Sequence, residues 1–201
     1  MRKKRGKGFW IFLGIIILII LVIVFNKITK PTYNEPESIP SRVIGSGEVN
    51  VTEFADLQCP ACAQFHPIIK QVLGEYGDEI TYEYKHFPLR QIHPFAQSAG
   101  EASECARDQN KFYEFIDDTY MNQNEGAGLR KAELKKRASK LGLDTELFND
   151  CLDSGVKSYQ VNNDLEEGIK LNVPGTPTLF VGGKKVSNNY QALKTAIENA
   201  K

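Results

Sequence analysis

The chain has 201 residues, with 25 basic and 25 acidic side chains, 41 % hydrophobic residues and four cysteines. The even charge balance hides a split: residues 1–30 hold seven basic and no acidic residues, leaving 18 basic against 25 acidic, about −7, for residues 31–201. A body of that sign lacks the basic footprint of a nucleic-acid binder, and about 160 residues suffice for one domain with a real hydrophobic core.

The first element is N-terminal. Residues 1–8, "MRKKRGKG", form a basic tail, and residues 9–25, "FWIFLGIIILIILVIVF", run without a charge. Seventeen residues is the lower limit for a helix that spans a bilayer core. No small-x-small cleavage site follows, which favours a retained signal anchor over a removed signal peptide. The positive-inside rule keeps the tail in the cytoplasm. A single-pass protein of the cell membrane is therefore expected, with residues 42–201 extracytoplasmic. Residues 26–41, with Pro31, Pro36 and Pro40, read as an extended linker.

Residues 48–57 are β-branched and apolar and predict a buried strand. Residues 60–77 place Phe65, Ile68, Ile69, Val72 and Leu73 at helical spacing, with Pro67 as a kink inside the helix. Residues 78–89 alternate at Ile80, Tyr82 and Tyr84, as a strand does. Residues of about 90–172 are mainly helical. Phe112, Phe115, Ile116 and Tyr120 form one stripe, and Leu134, Ala138 and Leu141 a second. A third, Leu147, Phe148, Cys151 and Leu152, starts at an Asp144 cap and ends near Gly155. Residues 176–187 predict two short strands joined at Gly182-Gly183, and "YQALKTAIENAK" an amphipathic helix on Leu193 and Ile197. This order predicts an α/β domain, a mixed sheet covered by helices, with the helical block as an insertion.

The chemistry centres on "EFADLQCPACAQFHP", residues 53–67. A thiolate, not a thiol, attacks a disulfide, so a redox cysteine needs a lowered pKa. Cys59 sits where strand gives way to helix, with Pro60 in a first-turn position, and unpaired N–H groups there favour a thiolate. Cys62 lies one turn further in. Cys59 is thus expected to be the exposed nucleophile and Cys62 the buried resolving thiol. A structural disulfide and a metal site are the competing readings. Zinc wants four ligands, and Cys105 and Cys151 are not at ligand spacing. Copper held by Cys59, Cys62 and His66 is the one metal arrangement the spacing allows. Cys105 and Cys151 can be free core thiols or a bridge. His86 and His93 read as packing at a strand end and a helix start, and Phe54, Leu57 and Phe112 as core.

Taken together, "EFADLQCPAC", Pro67 eight residues after Cys59 and "VPGTPTLFVGG" at 173–183 resemble the thioredoxin superfamily. With the helical insertion, residues 42–200 are similar to the membrane-anchored DsbA type of thiol-disulfide oxidoreductase of bacteria and archaea. The resemblance implies a thioredoxin-like fold and a redox disulfide, Cys59–Cys62. It also implies a cis Thr176–Pro177 bond beside the cysteines, with the Thr176 backbone presented to substrate. Glu53 falls where the family keeps a buried acid that moves protons to and from Cys62. A second, structural disulfide, Cys105–Cys151, is implied as well. The chain departs from the best-known DsbA at the dipeptide between the cysteines, Pro60-Ala61 rather than Pro-His, which removes one contact that steadies the thiolate.

The expected function is the introduction of disulfides into exported or cell-surface proteins, without a bound cofactor. Reoxidation would come from a quinone-linked membrane partner of the DsbB or vitamin K epoxide reductase type. The alternatives are a membrane-tethered reductase or isomerase and, from a different class, a copper-binding assembly factor.

Overall fold

The computed structural model describes residues 7–28 and 33–201, in two units that divide between Thr32 and Tyr33. In the first, α1 (Lys7–Ile28) is a 22-residue helix whose apolar side chains from Trp10 to Val22 are exposed. Among the described residues no helix is long and apolar enough to cross a membrane. The run expected to span one, 9–25, extends past the described side chains at both ends. Most of the basic tail, together with Pro31 of the linker, lies outside the described residues.

The second unit holds a five-stranded sheet in the order β1-β3-β2-β4-β5. Its strands are β1 (Val43–Ile44), β2 (Val49–Ala55), β3 (Ile80–His86), β4 (Thr178–Val181) and β5 (Lys184–Val186). β2 and β3 are parallel, so they need a crossover. It is supplied by α2 (Pro60–Tyr76), which carries Pro67 within it. β4 runs antiparallel to β2, and Gly182 and Gly183, at φ 54° and 75°, turn it into β5. The chain closes with α8 (Tyr190–Glu198), capped by the Asn189 side chain and buried through Leu193 and Ile197.

The expected helical block resolves into α3 (Ala96–Arg107), α4 (Phe112–Met121), a 3-10 segment (Asn124–Leu129), α5 (Lys131–Lys140), α6 (Thr145–Ser154) and α7 (Ser158–Lys170). Asp144 accepts from the Glu146 and Leu147 N–H groups at the start of α6, and Gly155 ends it in the left-handed region at φ 68°. A disulfide joins Cys105 of α3 to Cys151 of α6.

Alternation along β2 sorts its side chains between two cores. Val49, Val51 and Ala55 face the main core with Phe65 and Ile69 of α2, Ile80, Tyr82 and Tyr84 of β3, and Leu193. Phe54 points the other way, into a smaller cluster with Phe87 and Val173. There α7 lies so close that a methyl at Gly168 would stand 2.5 Å from the Phe87 ring. Glu53 shares its face with Val51 and Ala55, and so lies in the main core.

The linker departs from expectation. Residues 33–44 are not a free tether but a strap on the domain. The Tyr33 hydroxyl donates to Asp108, and Glu35 pairs with Lys157 at 2.6 Å. Arg42 pairs with Asp164 and Glu104, and Val43–Ile44 add the edge strand to β3. β1 is too short for any periodicity to reveal.

Candidate active site

Cys59 is the N-cap residue of α2, with extended backbone, φ −74° and ψ 119°, and Pro60 occupies the first helical position. Its carbonyl accepts the first helical bond, from Ala63 N–H at 3.1 Å. An N-cap side chain normally supplies an oxygen to the orphan N–H groups of the first turn. The Cys59 thiol makes no such capping bond, but a thiolate at this position would face the same N–H groups. Hydrogen bonding by the Cys62 thiol, the Thr176 side chain and the N–H groups of Cys62 and Ala61 favours the charged sulfur. These donors outweigh burial and bring the Cys59 pKa down to about 5, with the Cys62 thiol the largest cause.

Cys62 is driven in the opposite direction. It is fully buried in the first turn of α2, and burial, its bond to Cys59 and the charges of Cys59 and Glu53 all push its pKa up. Both cysteines are free in the structure. The expectation of an exposed nucleophile needs correction: Cys59 is only 6 % exposed. The Thr176–Pro177 turn lies across it, and the Cys59 thiol donates to the Thr176 carbonyl at 3.4 Å. That peptide bond is cis. The Thr176 hydroxyl is buried without a hydrogen-bond partner while Cys59 is a thiol, so ionisation of Cys59 satisfies a donor that is otherwise orphaned.

Glu53 is 1 % exposed and accepts from the Tyr82 hydroxyl at 2.5 Å. Burial raises its pKa above the usual carboxylate range, opposed by the Tyr82 bond and by His66.

The histidines are all bound to carboxylates. His66 Nε2 lies 2.6 Å from Asp117 of α4, and its ring packs on Tyr120. That bond occupies Nε2, and among the described residues no group of three or more His, Cys, Asp or Glu is placed to hold a metal ion. His86 lies 3.1 Å from Glu104 at the end of β3, and His93 2.8 Å from Asp56 before α3. Both tie packed elements together.

Asp56 is the residue sequence reasoning missed. It is 2 % exposed, and it accepts from Gln58 N–H at 2.7 Å and Leu89 N–H at 2.8 Å, while its carbonyl accepts from Cys59 N–H at 3.0 Å. It thereby shapes the turn that delivers Cys59 to the helix start. The signal available was an Asp directly after a strand, where its side chain can bond two residues on. Gln123 braces the same turn, donating to the Leu57 carbonyl at 2.7 Å.

Comparison with known proteins places this geometry. A family model described as thioredoxin matches residues 37–199. The chain belongs to that thioredoxin family. The thioredoxin-family domain is similar to oxidised BdbD from Bacillus subtilis, at TM-score 0.70 and 24 % identity over 81 % of this chain and 96 % of that one. It is also similar to the thiol-disulfide exchange protein α-DsbA2 from Wolbachia pipientis, at TM-score 0.70 and 20 % identity over 81 % and 87 % of the two chains. The fold is that of DsbA-like thiol-disulfide oxidoreductases, and here it carries the Cys105–Cys151 bridge. Among curated relatives, the Na(+)/H(+) antiporter NhaA 3 of Salinispora tropica is 36 % identical over 154 residues, 76 % of this chain and 23 % of that protein. The chain spans about a quarter of the length of the antiporters it matches, which are much longer proteins.

Proposed function

We propose that this thioredoxin-family domain exchanges disulfides with protein thiols through Cys59 and Cys62, and that it runs as an oxidase. The observation that carries the reading is the placement of the pair: Cys59 stands at the N-cap of α2, Cys62 is buried one turn on, and the Thr176 carbonyl lies 3.4 Å from the Cys59 sulfur, an arrangement that lowers the Cys59 pKa and raises that of Cys62. A stabilised Cys59 thiolate favours the reduced pair, which is what makes a disulfide a good donor. In the cycle, a substrate thiolate attacks the Cys59 sulfur of the Cys59–Cys62 disulfide. That bond breaks, a substrate–Cys59 disulfide forms, and Cys62 leaves and takes a proton from the Glu53 carboxyl. A second substrate thiolate then attacks the substrate sulfur, releasing the oxidised substrate and the Cys59 thiolate. Two electrons pass to the enzyme. The Thr176 backbone pairs with the extended substrate.

The reduced enzyme needs an oxidant, and a quinone-linked membrane protein of the DsbB or vitamin K epoxide reductase type fits the chemistry. The uncharged run 9–25 behind a basic tail supports anchorage in the cell membrane with the domain outside, acting on exported or cell-surface proteins. A tethered reductase or isomerase is the second reading. It is favoured by Ala61, whose only contribution to the thiolate is its backbone N–H. The reduction potential of Cys59–Cys62 in glutathione buffers separates the two. A value near the DsbA end, about −120 mV, supports the oxidase, and one near thioredoxin, about −270 mV, overturns it.

A further inference from the structure

A pocket of about 530 Å³ opens on the turn whose Thr176 carbonyl meets the Cys59 thiol. One wall is the turn that carries Thr176 and Pro177, and the other is the β5 strand and its exit, Lys185 to Asn188. The Asn188 side chain donates to the Pro177 carbonyl at 2.5 Å and holds the two walls together. The lining contains one charged group, Lys185, and no carboxylate. That is notable in a region where acidic residues outnumber basic ones by 25 to 18. Lys185 is exposed, and among the described residues its side chain makes no ion pair or hydrogen bond. Its ammonium is therefore available to something outside the chain. Thr178 is no competitor for it, since its hydroxyl is already committed to the Gly175 carbonyl at 2.8 Å.

Thr176 both meets the Cys59 thiol and lines this pocket, so a polypeptide bound along it would carry side chains near its cysteine within reach of the pocket. We infer that the pocket selects substrates with an aspartate or glutamate within two or three residues of the reacting cysteine, with Lys185 as the group that recognises the carboxylate. The acidic surface elsewhere opposes this only weakly, because charges beyond about 8 Å are screened at physiological salt. The inference deepens the proposed exchange activity and rests on it. An ion pair of this exposure contributes up to about 1 kcal/mol, or roughly fivefold in rate, which sets the size of the effect.

The test uses the oxidised full chain and short cysteine peptides with Glu, Gln or Lys on either side of the cysteine. The rate at which each reduces Cys59–Cys62 is divided by its rate with hydroxyethyl disulfide, an uncharged disulfide, which corrects for differences in intrinsic thiol reactivity. The Glu peptides are expected to react about fourfold faster than the Lys peptides. Lys185→Gln brings that ratio close to one and Lys185→Glu reverses it, with the reduction potential unchanged in both. An unchanged ratio in both variants overturns the inference. Failure of the unaltered chain to react with any peptide is a different result, and overturns the exchange activity itself.

Discussion

The Cys59 thiol donates to the Thr176 carbonyl across 3.4 Å, joining residues 117 positions apart. The same threonine holds its own hydroxyl buried and unpartnered while Cys59 is a thiol. The contact therefore reverses when Cys59 ionises: the carbonyl loses a donor, and the hydroxyl becomes one. A hydrogen bond to a charged group is worth about 1.5–3 kcal/mol, or roughly one to two pKa units. Thr176→Val removes this donor while keeping the shape. The Cys59 pKa, followed by thiolate absorbance near 240 nm, is expected to rise by about one unit.

Cys59 also makes the stability of the reduced protein depend on pH. Its folded pKa of about 5 lies below the ordinary thiol value of 9.0. A depressed pKa contributes stability that is fully present above the unfolded value and is lost as pH falls through the folded one. The oxidised form has no such thiol. The melting temperature of the reduced form is therefore expected to fall relative to the oxidised form as pH drops from about 9 to about 5. A difference that stays flat across that range contradicts the assignment of a thiolate N-cap at Cys59.

The local part of this site is legible in the sequence. A strand, a turn, a proline in the first helical position and a second cysteine one turn on all lie within 53–67, and each follows from neighbours a few residues away. The Asp144 cap and the Gly155 stop are local in the same sense. What the sequence conceals is long-range side-chain commitment. His66 reads as an available ligand beside the two cysteines until Asp117, 51 positions on, is placed against it. Cys59 reads as exposed because nothing near it in the chain covers it; the cover comes from Thr176. The strap is hidden for the same reason, since Tyr33 and Glu35 sit in a proline-containing stretch whose partners are Asp108 and Lys157.

Glu53 offers a test with opposite effects on stability and rate. Burial raises its pKa. Stability from such a group is present below the ordinary carboxylate value and is lost as pH rises toward the folded pKa. Glu53→Gln keeps the shape without the charge. The variant is expected to match the parent near pH 4 and to be the more stable at pH 8. Its exchange rate should nevertheless drop at least tenfold, because Cys62 loses its proton donor. Thermal unfolding at the two pH values and the rate of peptide oxidation decide the matter.

The Cys105–Cys151 bridge closes a separation of 46 residues within the helical block. The chain-entropy account assigns a loop of that size about 4 kcal/mol. Replacing both cysteines by alanine is expected to lower the melting temperature by roughly 10 °C and leave the potential of Cys59–Cys62 unchanged. A shifted potential would mean that the block tunes the reactive pair as well as bracing it.

The strap sets where the domain begins. Lys157 is fully buried at the start of α7, and its charge is met by two carboxylates, Asp108 at 2.7 Å and Glu35 at 2.6 Å. Tyr33 adds its ring, 5.6 Å from the ammonium, and a hydrogen bond to the same Asp108. A fragment cut at residue 42, where composition alone places the boundary, loses Tyr33 and Glu35 and keeps Asp108. Removing one partner of a buried charge costs up to about 3–5 kcal/mol. With Asp108 still in place, a loss of about 2 kcal/mol is the reasonable expectation. Residues 42–201 should therefore melt several degrees below residues 33–201, at roughly 2–4 °C per kcal/mol for a domain of this size. Glu35→Gln within residues 33–201 should reproduce part of the loss and Tyr33→Phe a smaller part. Equal melting temperatures for the two fragments would mean that water serves Lys157 as well as Glu35 does.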